Sequence, residues 1–151
     1  MTYIRGLQIF VFFFIGFLKA NGQDPYAWTF TAKKISDQQY EIHCIVNVTD
    51  PWHTYSQFTP AGGPVPTRFS FKKNPLVTLV GKVAEDGKMV VELEKVFGVD
   101  VKYYEGQVDF IQKIRCKNNI KTNLSGSVEF MVCNNHECLP PVSIPFNVSL
   151  N

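Results

Sequence analysis

Cys133 and Cys138 enclose the polar stretch Asn134-Asn135-His136-Glu137 and are followed by Leu139-Pro140-Pro141. Two thiols at that spacing can close into a disulfide, open again, or share a metal ion. Upstream, Val128, Phe130 and Val132 alternate on one face of a strand that runs straight into Cys133. Downstream, Val142, Ile144, Phe146, Val148 and Leu150 alternate along a return strand, and Pro140 and Pro141 before it supply no ladder N–H. The polar stretch reads as a hairpin loop, so the cysteines should face each other across the strand pair. Opposed residues lie about 4.5–5.5 Å apart at Cα, inside the range that a disulfide spans.

A bond across so short a loop is a weak staple, because closing a ring of this size is worth only about 2 kcal/mol in the chain-entropy description. Its position at a strand end, beside a turn and backed by prolines, suits approach by another protein. Many inert hairpins carry the same bridge, so two readings stand at this level: an exchangeable redox pair and a permanent cross-strand link. His136 lies between the cysteines, which raises a metal site. A closed zinc site usually takes four ligands; no fourth is apparent, and Glu137 would be strained. Copper accepts three soft ligands, but a solvated loop histidine is the preferred reading. No Ser-His-Asp pattern, phosphate loop or carboxylate pair can be argued from spacing.

The elements that must hold this pair are short alternating segments. Trp28, Phe30 and Ala32 alternate, Ser36-Asp37 turns, and Tyr40, Ile42, Cys44, Val46 and Val48 share one face of the next strand. Thr49-Asp50-Pro51 breaks that strand. Trp52-His53-Thr54-Tyr55-Ser56-Gln57-Phe58 follows, rich in aromatics with polar tips, and reads as a strand with Trp52 inward, followed by a Gly- and Pro-rich loop. Thr67, Phe69 and Phe71 alternate, then Val77 and Leu79 up to a turn at Glu85-Asp86-Gly87. Met89, Val91 and Leu93 lead to Val96-Phe97-Gly98, then Val99 and Val101 to a turn at Glu105-Gly106, and a long strand runs from Val108 to Cys116. Regular alternation with turn signals and no helical periodicity predicts an all-β, immunoglobulin-like antiparallel β-sandwich. Cys44 and Cys116 fall in phase with core positions and read as packing residues, a bridge between them being the lesser option.

Composition sets the compartment. Arg5 precedes an apolar run from Leu7 to Leu18, and Ala20-Asn21-Gly22 offers small residues for a signal peptidase. Residues 1–22 therefore read as a secretory signal peptide and residues 23–151 as one mature domain, soluble and oxidisable after export. The run is short for a span of about 20 apolar residues. Removing Arg5 and Lys19 balances 15 basic residues against 13 acidic ones, which argues against a nucleic-acid or polybasic membrane role. Three Asn-x-Ser/Thr triplets, at Asn47, Asn123 and Asn147, are common by chance.

Cys-x4-Cys-Leu-Pro-Pro at the end of such a sandwich, with Trp52-His53-Thr54-Tyr55, Gly62-Gly63-Pro64-Val65-Pro66-Thr67 and Val96-Phe97-Gly98 upstream, resembles the N-terminal periplasmic domain of the thiol:disulfide interchange protein DsbD. The resemblance covers nearly all of residues 23–151 and is closest to stand-alone forms of Bacteroidetes-like bacteria. It implies an immunoglobulin-like periplasmic module that takes electrons from a thioredoxin-like donor and hands them to oxidised client proteins. By position, Cys133 and Cys138 match the redox pair, and Cys138 matches the cysteine that bonds thioredoxin-fold partners in a transient mixed disulfide. Val96-Phe97-Gly98 falls where the family has a cap loop, and Tyr55 is a further shielding candidate. The enterobacterial form has one more residue between its cysteines. The chain carries neither the membrane domain nor the thioredoxin-like domain, so a separate membrane electron donor and a monomer are expected, with no metal or organic cofactor. The competing class is a secreted immunoglobulin-like binding module with a structural disulfide and a Trp52/Tyr55/Phe58 binding face.

Overall fold

Alternation of apolar and polar side chains governs the structure, a computed structural model that describes residues 23–94, 98–117 and 121–151. The strands are β1 (Tyr26–Ser36), β2 (Gln39–Val48), β3 (His53–Tyr55), β4 (Arg68–Phe71), β5 (Val77–Glu94), β6 (Val99–Cys116), β7 (Thr122–Phe130), β8 (Val132–Cys133) and β9 (Val142–Leu150). All their pairings are antiparallel. The larger sheet runs β1-β2-β6-β3-β8, with β5 also bonded to β6, and the smaller runs β4-β7-β9. β2 and β3 lie end to end along one edge of β6, and β5 occupies the other.

The inward residues of β2 and β6 (Ile42, Cys44, Val46, Tyr104, Val108, Phe110, Ile114) meet those of β7 and β9 (Leu124, Val128, Phe130, Phe146, Val148, Leu150) in one buried core. Each large apolar side chain withdrawn there contributes roughly 1.5–3 kcal/mol. Trp28 fastens β1 over it, its ring within 5.2–6.2 Å of Phe30, Phe69, Phe110 and Phe130. This is the immunoglobulin-like antiparallel sandwich that the alternation predicts.

Two expected turns are not turns. Glu85-Asp86-Gly87 lies inside β5 and Glu105-Gly106 inside β6, each strand being 18 residues long. The polar and glycine residues there serve bends instead. The β5–β6 register shifts between Val80 and Ala84 and again between Gly87 and Met89, and Gly106 takes φ +69°, a conformation that a side chain disfavours. The carbonyl of Val80 beside the first shift accepts from the buried Gln112 side chain at 3.1 Å. A local irregularity is thus satisfied by a core amide rather than left bare.

Gly126 marks the tightest approach in the small sheet. A Cβ there would stand 2.5 Å from the Ser70 carbonyl oxygen and 2.6 Å from the Phe146 ring. Gly126→Ala should destabilise the domain by about 1–3 kcal/mol through overpacking, read as a lower urea midpoint with unchanged slope. A neutral substitution would show that β4, β7 and β9 are spaced more loosely than this packing requires.

Candidate functional site

The chain changes sheets at Met131. Phe130 still pairs with Val142 in the small sheet, whereas Val132 pairs with Thr54 and Cys133 with His53 in the large one. The expected unbroken strand into Cys133, paired with the return strand beyond the prolines, does not form. β9 pairs instead with β7, and the segment between Phe130 and Val142 makes an excursion to the free edge of β3. Thr54 Oγ1 donates to the Met131 carbonyl at 3.2 Å and pins the crossing. Val132 and Thr54 face the core, both almost fully buried. Cys133 therefore points to the opposite face of the sheet.

Beyond Cys133 the turn is built by Asn134. Its Oδ1 accepts from the backbone N–H groups of His136 and Glu137, both at 2.8 Å, which is the local side-chain turn that favours asparagine. Asn134 N–H donates to the Glu137 carbonyl at 2.9 Å and Leu139 N–H to the Val132 carbonyl at 3.0 Å. Cys133 and Cys138 thus form the close, non-hydrogen-bonded kind of antiparallel pair. Their Cα atoms are 4.0 Å apart and their sulfurs are bonded.

The two ends of that bond differ. Cys133 is 2% exposed, and Cys138 lies at the surface. Cys133 shares a buried cluster with Tyr55 and Val101, flanked by Val99, Tyr103 and Met131. Gly63 lies against Val99 and Val101, and Thr67 Oγ1 donates to the Tyr55 carbonyl, so the 61–67 loop closes one side. His53 Nε2 is 3.1 Å from the Tyr55 hydroxyl, and its ring centre is 4.5 Å from that of Tyr103. The Tyr103 phenol is pushed up to about 12 by burial first, then by its bond to Glu92 and the charges of Glu92 and Glu105.

Of the shielding candidates, Tyr55 is brought against Cys133. Gly98, at φ +67°, precedes β6, and β6 begins with the cluster residues Val99 and Val101. Val96 and Phe97 lie outside the described residues. The Trp52/Tyr55/Phe58 binding face does not assemble: Trp52 packs on the main core, Tyr55 is buried with Cys133, and only Phe58 is well exposed. Cys44 and Cys116 are free and buried. Burial, reinforced by Asp109, pushes the Cys44 thiol up to about 12, and burial raises Cys116 as well; both are inert packing groups.

Two residues escaped sequence reasoning. Glu85 accepts from Ser56 Oγ (2.7 Å), Gln57 N (2.7 Å), Gln57 Nε2 (3.1 Å) and Tyr104 Oη (2.6 Å), tying the segment after β3 to β5 and β6. Burial and the Glu85 bond hold the Tyr104 phenol above its ordinary range. His53 is the other, and only its period-two spacing from Tyr55 hinted that the two share a face. Among the described residues, no three His, Cys, Asp or Glu side chains gather as a metal site requires.

The fold and the site define a class: an immunoglobulin-like domain presenting one sulfur of a strand-end disulfide to solvent while burying the other. The family model described as "Thiol:disulfide interchange protein DsbD, N-terminal" matches residues 23–149. The chain belongs to that family of thiol–disulfide interchange domains. It is similar in fold to the N-terminal periplasmic domain of ScsB from Proteus mirabilis, with a TM-score of 0.57 and 19% identity over 89% of this chain and 49% of that one. It is likewise similar to the reduced DsbD N-terminal domain of Neisseria meningitidis, with a TM-score of 0.55 and 14% identity over 84% and 86%. The chain thus spans about half the length of the Proteus protein. No curated protein sequence matches the chain.

The core of the sandwich lies on the other face of the sheet from the disulfide. Cys133→Ser/Cys138→Ser should therefore stay folded and lose no more than about 2–3 kcal/mol. Circular dichroism and urea unfolding of the oxidised protein and the double variant decide this; outright unfolding would make the bond a structural requirement.

Proposed function

We propose that the protein is a periplasmic electron-transfer module, exchanging disulfides between a thioredoxin-fold donor and oxidised client proteins through Cys133 and Cys138. The observation that carries this reading is the asymmetry of the bond, one sulfur exposed at a turn and the other enclosed with Tyr55 and Val101. Residues 1–22 act as the cleaved export signal, residues 23–151 are the working domain, and the electrons come from a separate membrane protein. The domain acts as a monomer without metal or organic cofactor.

The exchange follows from which sulfur can be reached. A donor thiolate attacks Cys138 Sγ, the Cys133–Cys138 bond breaks, and Cys133 leaves as a thiolate that takes up a proton. The donor's second thiolate then attacks its own sulfur in the mixed disulfide, and Cys138 leaves with the electron pair. The donor ends oxidised and the pair reduced; the same steps in reverse reduce a client. Attack at Cys133 is disfavoured because its sulfur is enclosed.

Cys133→Ala, with its lone Cys138 first converted to the thionitrobenzoate mixed disulfide, should lose that aryl thiol to an attacking thioredoxin-fold protein that lacks its own resolving cysteine and accumulate the Cys138–partner disulfide, because no thiol remains beside Cys138 to release it. Cys138→Ala should trap little. Non-reducing gels of the two mixtures read the difference. Equal trapping would remove the assignment of roles, and trapping by neither would count against exchange itself.

Phe97, with Val96 and Gly98, forms the cap in this proposal. It is supported by the neighbouring residues Val99 and Val101, which line the Cys133 cluster. Phe97→Ala should leave stability almost unchanged and speed alkylation of the reduced cysteines by iodoacetamide. A loss of about 3–5 kcal/mol, as for a deleted core phenylalanine, with unaltered alkylation would make Phe97 a packing residue instead.

A further inference from the structure

The fold separates charges that the sequence balances. At the end of the large sheet away from the disulfide, one ladder row runs from Lys33 on β1 through Glu41 on β2 and Lys113 on β6 to Val80 on β5. Directly opposed residues project from one face. Arg115, two residues beyond Lys113, shares that face and lines a hollow there with Ile35, Val80 and Lys113. On the other face of β5, Leu79 lines a second hollow with Phe71, Lys72 and Lys73. Asn74 ties this loop to the start of β7, donating to Thr122 Oγ1 at 3.0 Å and to the Asn123 carbonyl at 2.7 Å. Ile35, Leu79 and Val80 are all exposed. Among the described residues, the acidic side chains at this end are Asp37 and Glu41, and Glu41 lies 3.9 Å from Lys113.

The disulfide end carries the opposite sign. Glu92, Asp100 and Glu105 are exposed on the paired ends of β5 and β6, and Glu137 is exposed in the cysteine turn. Lys88 and Lys102 offset part of this charge. Met89, Val91 and Leu93 are exposed here too, so the two ends differ in their charge and not in having bare apolar groups. The even balance of the whole chain, which by itself argues against a polybasic membrane role, is an average over these two ends.

We propose that the basic end is a docking surface for a membrane rich in anionic phospholipid, its lysines and arginine meeting the headgroup phosphates while Ile35, Leu79 and Val80 enter between them. Exposed aliphatic side chains set among cations are the combination that peripheral membrane binding uses. A nucleic-acid backbone would engage the cations and leave the aliphatic residues without a partner. The inference goes beyond the exchange reading and does not depend on it. Glu105, in the ladder row of Cys133, and Arg115 are ten residues apart on β6, roughly 30 Å along a strand. A domain standing on its basic end therefore holds the disulfide clear of the lipid, facing the water in which partners arrive.

The test is co-sedimentation of residues 23–151, which contain every strand, with vesicles of phosphatidylcholine alone or mixed equally with phosphatidylglycerol. The protein should sediment with the mixed vesicles at low salt, stay in solution with phosphatidylcholine, and be released at about 1 M salt, where charges are screened beyond about 3 Å. Each basic residue near such a surface is worth about fivefold in binding. Lys72→Gln/Lys73→Gln and Lys113→Gln/Arg115→Gln, all at exposed positions, should therefore each weaken binding about 25-fold with unchanged circular dichroism. Val91→Ser/Leu93→Ser, at the acidic end, should bind as the native sequence does. No sedimentation with the mixed vesicles, equal sedimentation with phosphatidylcholine, or full binding by both charge variants would overturn the proposal. So would equally tight binding to a DNA duplex, or a dimer that forms without lipid and is lost in the charge variants. None of these outcomes bears on partner trapping at Cys138, so the exchange reading stands or falls by its own gels.

Discussion

Strand β6 is the constraint on which the structure depends, because one stretch of backbone serves two faces. Its even-numbered residues from Tyr104 to Cys116 are inward and, Gly106 and the buried Gln112 aside, help build the sandwich core. In its first half the odd-numbered residues Val99, Val101 and Tyr103 floor the cluster around Cys133. Those odd positions can be sheltered only if neighbouring segments cover the outer face, and the 61–67 loop supplies part of that cover. The half-buried Glu85 makes the arrangement durable. Four donors converge on one carboxylate, so a charge that burial alone would make costly is fully satisfied and locks the segment after β3 to both long strands.

The disulfide fits this frame without supporting it. Its ring is short, so it removes little entropy from the unfolded chain. Its two residues occupy the close kind of antiparallel pair, where side chains already meet. Asn134 holds the turn whether or not the sulfurs are joined, since its bonds are to backbone N–H groups. A redox centre benefits from that independence, because opening the bond then requires no rebuilding of the sheet.

The sequence carried the fold in its period-two alternation, and the core faces of β2, the second half of β6, β7 and β9 were readable residue by residue. Glu85-Asp86-Gly87 and Glu105-Gly106 were misread because glycine beside polar residues marks a bend in a strand as well as a turn between strands. The continuous hairpin around the cysteines was misread for a related reason. Val128, Phe130 and Val132 keep one phase, yet Met131 between them moves the chain from one sheet to the other, and alternation does not distinguish a strand that stays from one that crosses. Resemblance of motifs carried the cysteine pair, whereas the neighbours of that pair arise from register between β3 and β8, segments far apart in sequence. His53 read as one polar residue among aromatics until pairing set it opposite Cys133.

Burial of Cys133 poses an energetic question that the sandwich alone does not answer. Enclosing that sulfur leaves Cys138 as the one at the surface. The same enclosure removes water from Cys133, and in the exchange proposed above an apolar cluster is a poor host for the thiolate that leaves. A site that keeps the first benefit has to offset the second from within the protein. Ladder pairing sets His53 directly across from Cys133 and Glu105 one strand further on.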